Sequence, residues 1–276
     1  SGVAQVTPYA SGSVHVRVWN MGRLMRIGFS TAAKVQDNKK DADEIDLNVA
    51  VQVCVKDPDS DAGIGKPMLE SNCVGYGSGS DLHYKPEGLI QKNAKTMRFG
   101  VFTYLNDSSA MRDGGVLRAR MKSVGPQKYV PGSVATVNPN AEWDAATGIF
   151  LRNPDPTDAA NTSPAVLNSG VINYLNKFGE SGSYKALDNV SEMYYGAIRY
   201  LRHLGSVPEW QNSLNATMVD GFPVITTWDD PIQYKCQRNF TVGIGDVNTH
   251  RDRNVPGGTN RTGEPPTVPP LVAADP

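Results

Sequence analysis

A chain of 276 residues can bury a full core as one large domain or two small ones. Apolar residues make up 39%, and 27 glycines bring the total into the ordinary globular range. A net charge of −1 and a pI near 6.4 argue against a broad electrostatic pull toward nucleic acid or an anionic membrane.

No window of about eighteen residues is continuously apolar, so no membrane span is expected. The first residues have no basic region, no apolar core and no Met, so the chain is read as a processed or excised product without a signal peptide. Residues 14–19 (VHVRVW) alternate as a strand does, and residues 24–29 are expected to return as its partner. The charged stretch that follows, short of apolar residues, reads as a surface insertion at 33–46. Residues 47–55 then place Leu47, Val49, Val51, Val53 and Val55 on one strand face and Cys54 on the other.

Cys54 and Cys73 flank a polar loop that must double back, which suits a disulfide; two free buried thiols are the open alternative. A bridge implies an oxidising compartment and leaves Cys236 with a partner outside this chain. The loop, part of an insertion at 56–85, carries Asp57, Asp59 and Asp61, whose spacing matches the first half of a calcium loop. Ala62 stands where that loop needs Gly, and Met68 where it needs Glu. Gly63-Ile64-Gly65-Lys66 is rejected as a phosphate loop, because the first Gly is missing and Pro67 replaces the Ser or Thr.

Residues 86–95 read as a short helix with Pro86 in its first turn. Strands at 97–105 and 116–121, with Asp113-Gly114-Gly115 as turn chemistry, are expected to pair like a hairpin. Residues 123–165, rich in Pro, Asn, Asp and Ser, read as an insertion or binding loop. A helix is expected over 166–178 despite Gly170. A better one spans 190–204, with Met193, Tyr194, Ala197, Ile198, Leu201 and Leu204 as a core-facing stripe and Asp188 or Asn189 as its cap. Residues 255–276, rich in Pro, Gly and Thr, read as an extended linker.

Between these lies the most telling stretch, 236–254. Phe240, Val242 and Ile244 alternate with Thr241 and Gly243 as in a packed strand, which Gly245 can end sharply. Asp246, Asn248, Thr249, His250, Asp252 and Asn254 follow. Such a succession is either a ligand site at the carboxyl edge of a sheet or a polar loop opened by an Asx-turn at Asp246. Enzyme chemistry has no positive support: there is no Gly-x-Ser-x-Gly elbow, no metalloprotease histidine spacing and no dinucleotide fingerprint. Asp229 and Asp230 are adjacent, which tends to point them apart.

Several blocks together carry a family resemblance. They are Val53-Cys54-Val55, LESNC at 69–73, YKPEGLIQ at 84–91, RFGVFTYLNDS at 98–108, RDGGVLRARMK at 112–122, NSGVINYLNKFGE at 168–180 and PVITTWDDPIQY at 223–234. With 236–254 they resemble, in order and over nearly the whole chain, the PilC/PilY family of type IV pilus tip and biogenesis proteins. The resemblance implies an α/β fold over residues 1–254: a von Willebrand A-like, Rossmann-type sheet with helices and large irregular insertions. It also implies incompleteness at the N-terminus, because the family's first strand and its Asp-x-Ser-x-Ser loop would lie upstream of Ser1. Asp107-Ser108-Ser109-Ala110-Met111 is the nearest imitation of that loop, and Met111 removes one ligand oxygen.

In such domains three loops hold a divalent metal. Asp246 matches the last loop, and Asp188 and Ser191 stand where the middle loop has its Thr. With Asn248 they would form an incomplete site for Ca or Mg. The implied function is a non-catalytic module in adhesion and in pilus assembly, extension and retraction. Its implied location is the cell surface at the pilus tip, reached through the periplasm. Its implied partners are minor pilins or other pilus-tip proteins, a host or surface ligand, and the C-terminal β-propeller and upstream part of the same protein. The alternative is a calcium-binding structural segment that positions neighbouring domains; a hydrolase is the third.

Overall fold

The first alternating stretch folds as expected. In the computed structural model, β1 (His15–Met21) pairs antiparallel with β2 (Leu24–Ser30), from His15↔Ser30 to Met21↔Leu24. β3 (Glu44–Asn48), starting inside the insertion expected at 33–46, pairs antiparallel with β2, and Val18, Ile27 and Ile45 fall in one row across the sheet. The strand expected over 47–55 does not hold through Cys54, whose φ of 58° is a left-handed conformation foreign to a β-ladder. These strands belong to one of two units, residues 1–66; residues 67–276 form the other, and the division falls inside the insertion expected at 56–85. The structure describes residues 15–21, 24–30, 44–48, 53–54, 69–106, 114–177, 189–245, 255–256 and 268–276.

The second unit begins with a hairpin, β4 (Cys73–Tyr76) and β5 (His83–Pro86). Pro86 ends β5 rather than opening the helix; α1 (Leu89–Asn93) starts later, at Gly88, whose amide donates to Gln91 Oε1 at 3.1 Å. The expected hairpin-like pair is present: β6 (Phe99–Thr103) runs antiparallel to β7 (Val116–Lys122), with Phe99↔Lys122 and Thr103↔Val116 at its ends.

The first half of β7, Val116 to Ala119, is buried on both faces, and its residues distribute over separate parts of the core. Val116 packs with Leu105, Ala159, Val166, Val219 and Val224. Leu117 packs with Tyr200, Ile225 and Trp228, and its carbonyl accepts the Ile225 amide at 3.0 Å. Ala119 joins Tyr76, Val101, Val124, Trp143 and Ile172. Arg118 is 1% exposed, and its guanidinium donates to the carbonyls of Tyr104 (2.8 Å) and Val219 (2.9 Å), among others. Those carbonyls include the end of a short helix, so the buried cation caps it.

Residues 123–165, expected as an insertion or binding loop, take part in the core. They hold β8 (Gln127–Lys128), β9 (Thr136–Val137) and α2 (Pro156–Asn161), and deliver Val124, Trp143 and Ala159 to the core. Their Glu142, fully buried, accepts the amides of Val171 and Ile172 at 2.7 Å each and so caps α3 (Val171–Asn176). This cap explains Gly170: its φ is +100°, and a β-carbon would meet Pro154 Cγ at 2.7 Å and Glu142 Cδ at 3.1 Å. Lys122 balances the charge, 2.6 Å from Asp155 and 3.3 Å from Glu142.

α4 (Val190–Leu201) is followed by α5 (Pro208–Gln211) and α6 (Ala216–Val219), whose carbonyls Arg118 caps. Residues 268–276, within the stretch expected as an extended linker, are folded and packed. α7 (Pro270–Ala273) buries Val272 completely against Val207 and Trp210, and Asp275 pairs with the buried Arg199 of α4. The composition is mixed α/β, and the described sheets are antiparallel and two- or three-stranded. No helix among the described residues is long and apolar enough to cross a membrane.

Candidate functional site

The site is built around α4. Its buried face is Glu192, Gly196, Arg199 and Tyr200, not the apolar stripe expected from the sequence. Each buried polar group has a partner that makes its burial tolerable. The Glu192 carboxylate accepts the Gly114 amide at 2.7 Å, Arg199 pairs with Asp275, and the Tyr200 hydroxyl donates to Asp229 and accepts the Met121 amide, both at 3.1 Å. Burial pushes the Tyr200 hydroxyl up from its ordinary range, so it stays a protonated donor. Asp229 and Asp230 do take different partners, since Asp230 accepts the Ile232 amide at 2.8 Å.

The Gly114-Gly115 pair is more than a turn. At Gly115 a β-carbon would stand 2.8 Å from Met193 Cα, so the start of β7 rests on the first turns of α4. No residue larger than glycine fits that approach without displacing the helix.

Freed from the core, the expected stripe does something else. Met193, Tyr194, Ala197 and Leu201 line one wall of a cavity of about 340 Å³. Gly100, Phe102 and Met121 of the β6–β7 pair form the second wall. Behind it Phe102, Tyr200 and Trp228 pack as a triangle, each pair of ring centroids 5.5 Å apart. Residues 240–245 form the third.

That third wall is the stretch expected as a packed strand. It joins no sheet among the described residues, and Phe240, Val242 and Ile244 are 77%, 86% and 91% exposed. The alternation is there, but nothing described covers it.

At its end Gly245 lies against α4: a β-carbon there would stand 3.1 Å from Val190 Cγ2. The residue before Asp246 therefore meets the residue before Ser191, at the N-terminus of α4. Ser191 is exposed on the first turn of that helix. Asp246, Asn248 and Asp188 lie outside the described residues, as do Asp57, Asp59 and Asp61 of the calcium-like loop. The structure thus brings together the flanks of two candidate ligand loops.

The cysteine reading resolves in favour of the bridge. Cys54 and Cys73 are disulfide-bonded and Cys236 is free and exposed. With both sulfurs oxidised, neither offers a thiolate to a metal. Sequence reasoning missed Glu192 and Arg199, because a charged residue in a helix is ordinarily assigned to the solvent face.

No family model matches the chain, and no solved structure matches it. The chain is 50% identical over 240 residues to the type IV pilus biogenesis factor PilY1 homolog of Xylella fastidiosa, strain Temecula1. The match covers 83% of this chain and 19% of that protein, so the chain spans about a fifth of the relative's length. At that identity over most of its residues, the chain belongs to the PilY1 family.

Proposed function

We propose that this chain is a non-catalytic module of a type IV pilus biogenesis protein, acting at the cell surface through protein–protein contacts. The 50% identity to a pilus biogenesis factor carries this conclusion. Adhesion to a surface ligand and contact with minor pilins or other tip proteins are part of the proposal. So is a von Willebrand A-like arrangement around α4.

What supports the A-like arrangement is the meeting of Gly245 with Val190, which joins the Asp246 loop to the helix start carrying Ser191. The donor chemistry fits a hard cation, since Asp188, Ser191, Asp246 and Asn248 offer only oxygens. In the proposed site Asp246 and Asp188 supply the negative charge, and Ser191 a neutral oxygen on the first turn of α4. A bound Ca²⁺ or Mg²⁺ would supply a positive centre able to accept a carboxylate from a partner protein.

The experiment is genetic. Cells lacking the full-length protein are complemented with a version missing residues 67–276, and surface pili are counted by electron microscopy. Loss of surface pili at normal protein abundance is expected; wild-type pilus numbers would overturn the proposal.

A further inference from the structure

We propose that His83 is a pH-operated latch between the β4–β5 hairpin and the loop at 144–149. As an imidazolium it holds both sides; as a neutral ring it lets the loop go. The latch depends neither on the pilus reading nor on a bound cation.

The geometry around the ring selects its charge. His83 Nδ1 lies 2.9 Å from the Asp81 carbonyl oxygen, and Nε2 lies 3.0 Å from that of Thr147, 64 residues away in the chain. A carbonyl oxygen only accepts, so both ring nitrogens have to donate. Neutral imidazole carries one N–H in either tautomer, and only the imidazolium carries two. The ring is half-buried, so protons from solvent still reach it.

The groups that face the ring decide how firmly the cation is held. The Asp81 charge favours it, and Lys85, further along β5, opposes it. From β4, Tyr76 stacks on the imidazole with ring centroids 6.3 Å apart and donates its hydroxyl to Glu87. Burial raises the Tyr76 pKa, so its phenol stays protonated while His83 titrates. On the facing loop, the Asp144 carboxylate accepts the Thr147 hydroxyl and amide, both at 2.8 Å, which keep its pKa low and its charge in place. The carbonyls of Asp81 and then Thr147 outweigh the opposing groups and hold His83 above the ordinary histidine value.

Losing the proton loosens one side. Asp81 is two residues from His83 and Thr147 is 64, so the local bond closes the shorter loop and is the one retained. The remaining proton then sits on Nδ1, and the Nε2 lone pair faces the Thr147 oxygen. The loop itself is a closed unit: the Asp144 amide donates to the Ile149 carbonyl at 2.9 Å, and Trp143 bridges to Phe150. It moves as one piece about the contact of Gly148 with Tyr76, where a β-carbon on the glycine would stand 2.6 Å from Tyr76 Cε2. The hairpin also carries Cys73, bonded to Cys54, so the latch sets how firmly the anchor of that bridge is held. Because the folded pKa is raised, the latch is shut at low pH and opens as pH rises through that pKa.

A ring-nitrogen NMR titration of the 276-residue chain, labelled with 15N-histidine, reads the latch directly. The His83 signals are those missing from His83→Gln. Both nitrogens are expected to stay protonated to a higher pH in the folded chain than in the urea-unfolded chain. Titration at or below the unfolded value would overturn the proposal.

Hydrogen–deuterium exchange at about pH 6 and about pH 8.5, corrected for intrinsic rates, reads the opening. Protection at Thr147 and Gly148 is expected to fall by about tenfold or more between the two, while β6 and β7 keep theirs. In His83→Gln, whose amide does not titrate, protection at Thr147 and Gly148 is expected to be the same at both pH values. Unchanged protection in the parent chain, or an equal fall in the variant, would overturn the latch.

Discussion

Gly245 packs against Val190 so closely that a β-carbon on the glycine would lie 3.1 Å from Val190 Cγ2. The contact ties the approach to Asp246 to the first turn of α4. It brings together the flanks of two loops some fifty residues apart in the chain.

Gly245→Val would push the two loops apart. Since Gly245 is itself exposed, the variant's melting temperature without added cation is expected to stay close to that of the parent chain. If the loops form one cation site, Ca²⁺ or Mg²⁺ at a hundred times its dissociation constant stabilises the parent chain by about 2.7 kcal/mol. The same addition is expected to leave Gly245→Val unmoved. Thermal melts with and without each ion check this; equal shifts in both proteins would contradict it.

Lys122 faces two buried carboxylates, Asp155 at 2.6 Å and Glu142 at 3.3 Å. Burial raises both acids' pKa above the ordinary carboxylate range, and Lys122 opposes that rise. A raised folded pKa means that the native state binds more protons than the unfolded chain between about pH 4 and the folded values. Across that window stability falls as pH rises, and it is regained as pH falls through the folded pKa. Lys122→Met extends the window upward. It is expected to cost about 3–5 kcal/mol at pH 7, with part of the loss recovered at pH 5. Urea unfolding at the two pH values measures it; a variant no more stable at pH 5 than at pH 7, relative to the parent, would refute the charge balance.

Asp275 is the counter-ion of Arg199, whose side chain is 2% exposed, and it also accepts the Tyr195 hydroxyl at 2.8 Å. Truncation after residue 267 strips Arg199 of this partner and uncovers the Val207–Trp210 cluster that Val272 closes. A loss of about 3–5 kcal/mol in urea unfolding is expected, whereas a true linker would cost nothing.

Alkylation separates the cysteines. Without reductant only the exposed Cys236 is expected to react, and Cys54 and Cys73 follow after reduction. Mass spectrometry that finds three labels before reduction would remove the disulfide.

Period-two patterns made β1, β2, β6 and β7 legible, because local alternation and turn chemistry decide such strands. α4 was legible as a helix but not in its orientation. The apolar stripe predicts the buried face only when charged residues stay in water, and here Gly114 and Asp275 hold Glu192 and Arg199 inside. The same long-range pairing hid α7, whose sequence has linker composition until Val272 and Asp275 find their partners. That residues 123–165 reach into the core was not legible, because Glu142 acts on α3 across about thirty residues, a distance no local pattern spans. Of the candidate site, the sequence nominated the loops; that their flanks meet is a property of the fold.

The most direct test of the account is the number of surface pili on cells whose full-length protein carries Asp246→Ala. If the loops at the α4 N-terminus are the working site of a pilus assembly module, the variant reaches wild-type abundance but the cells show few or no pili. Wild-type pilus numbers with the variant present at normal abundance would contradict it.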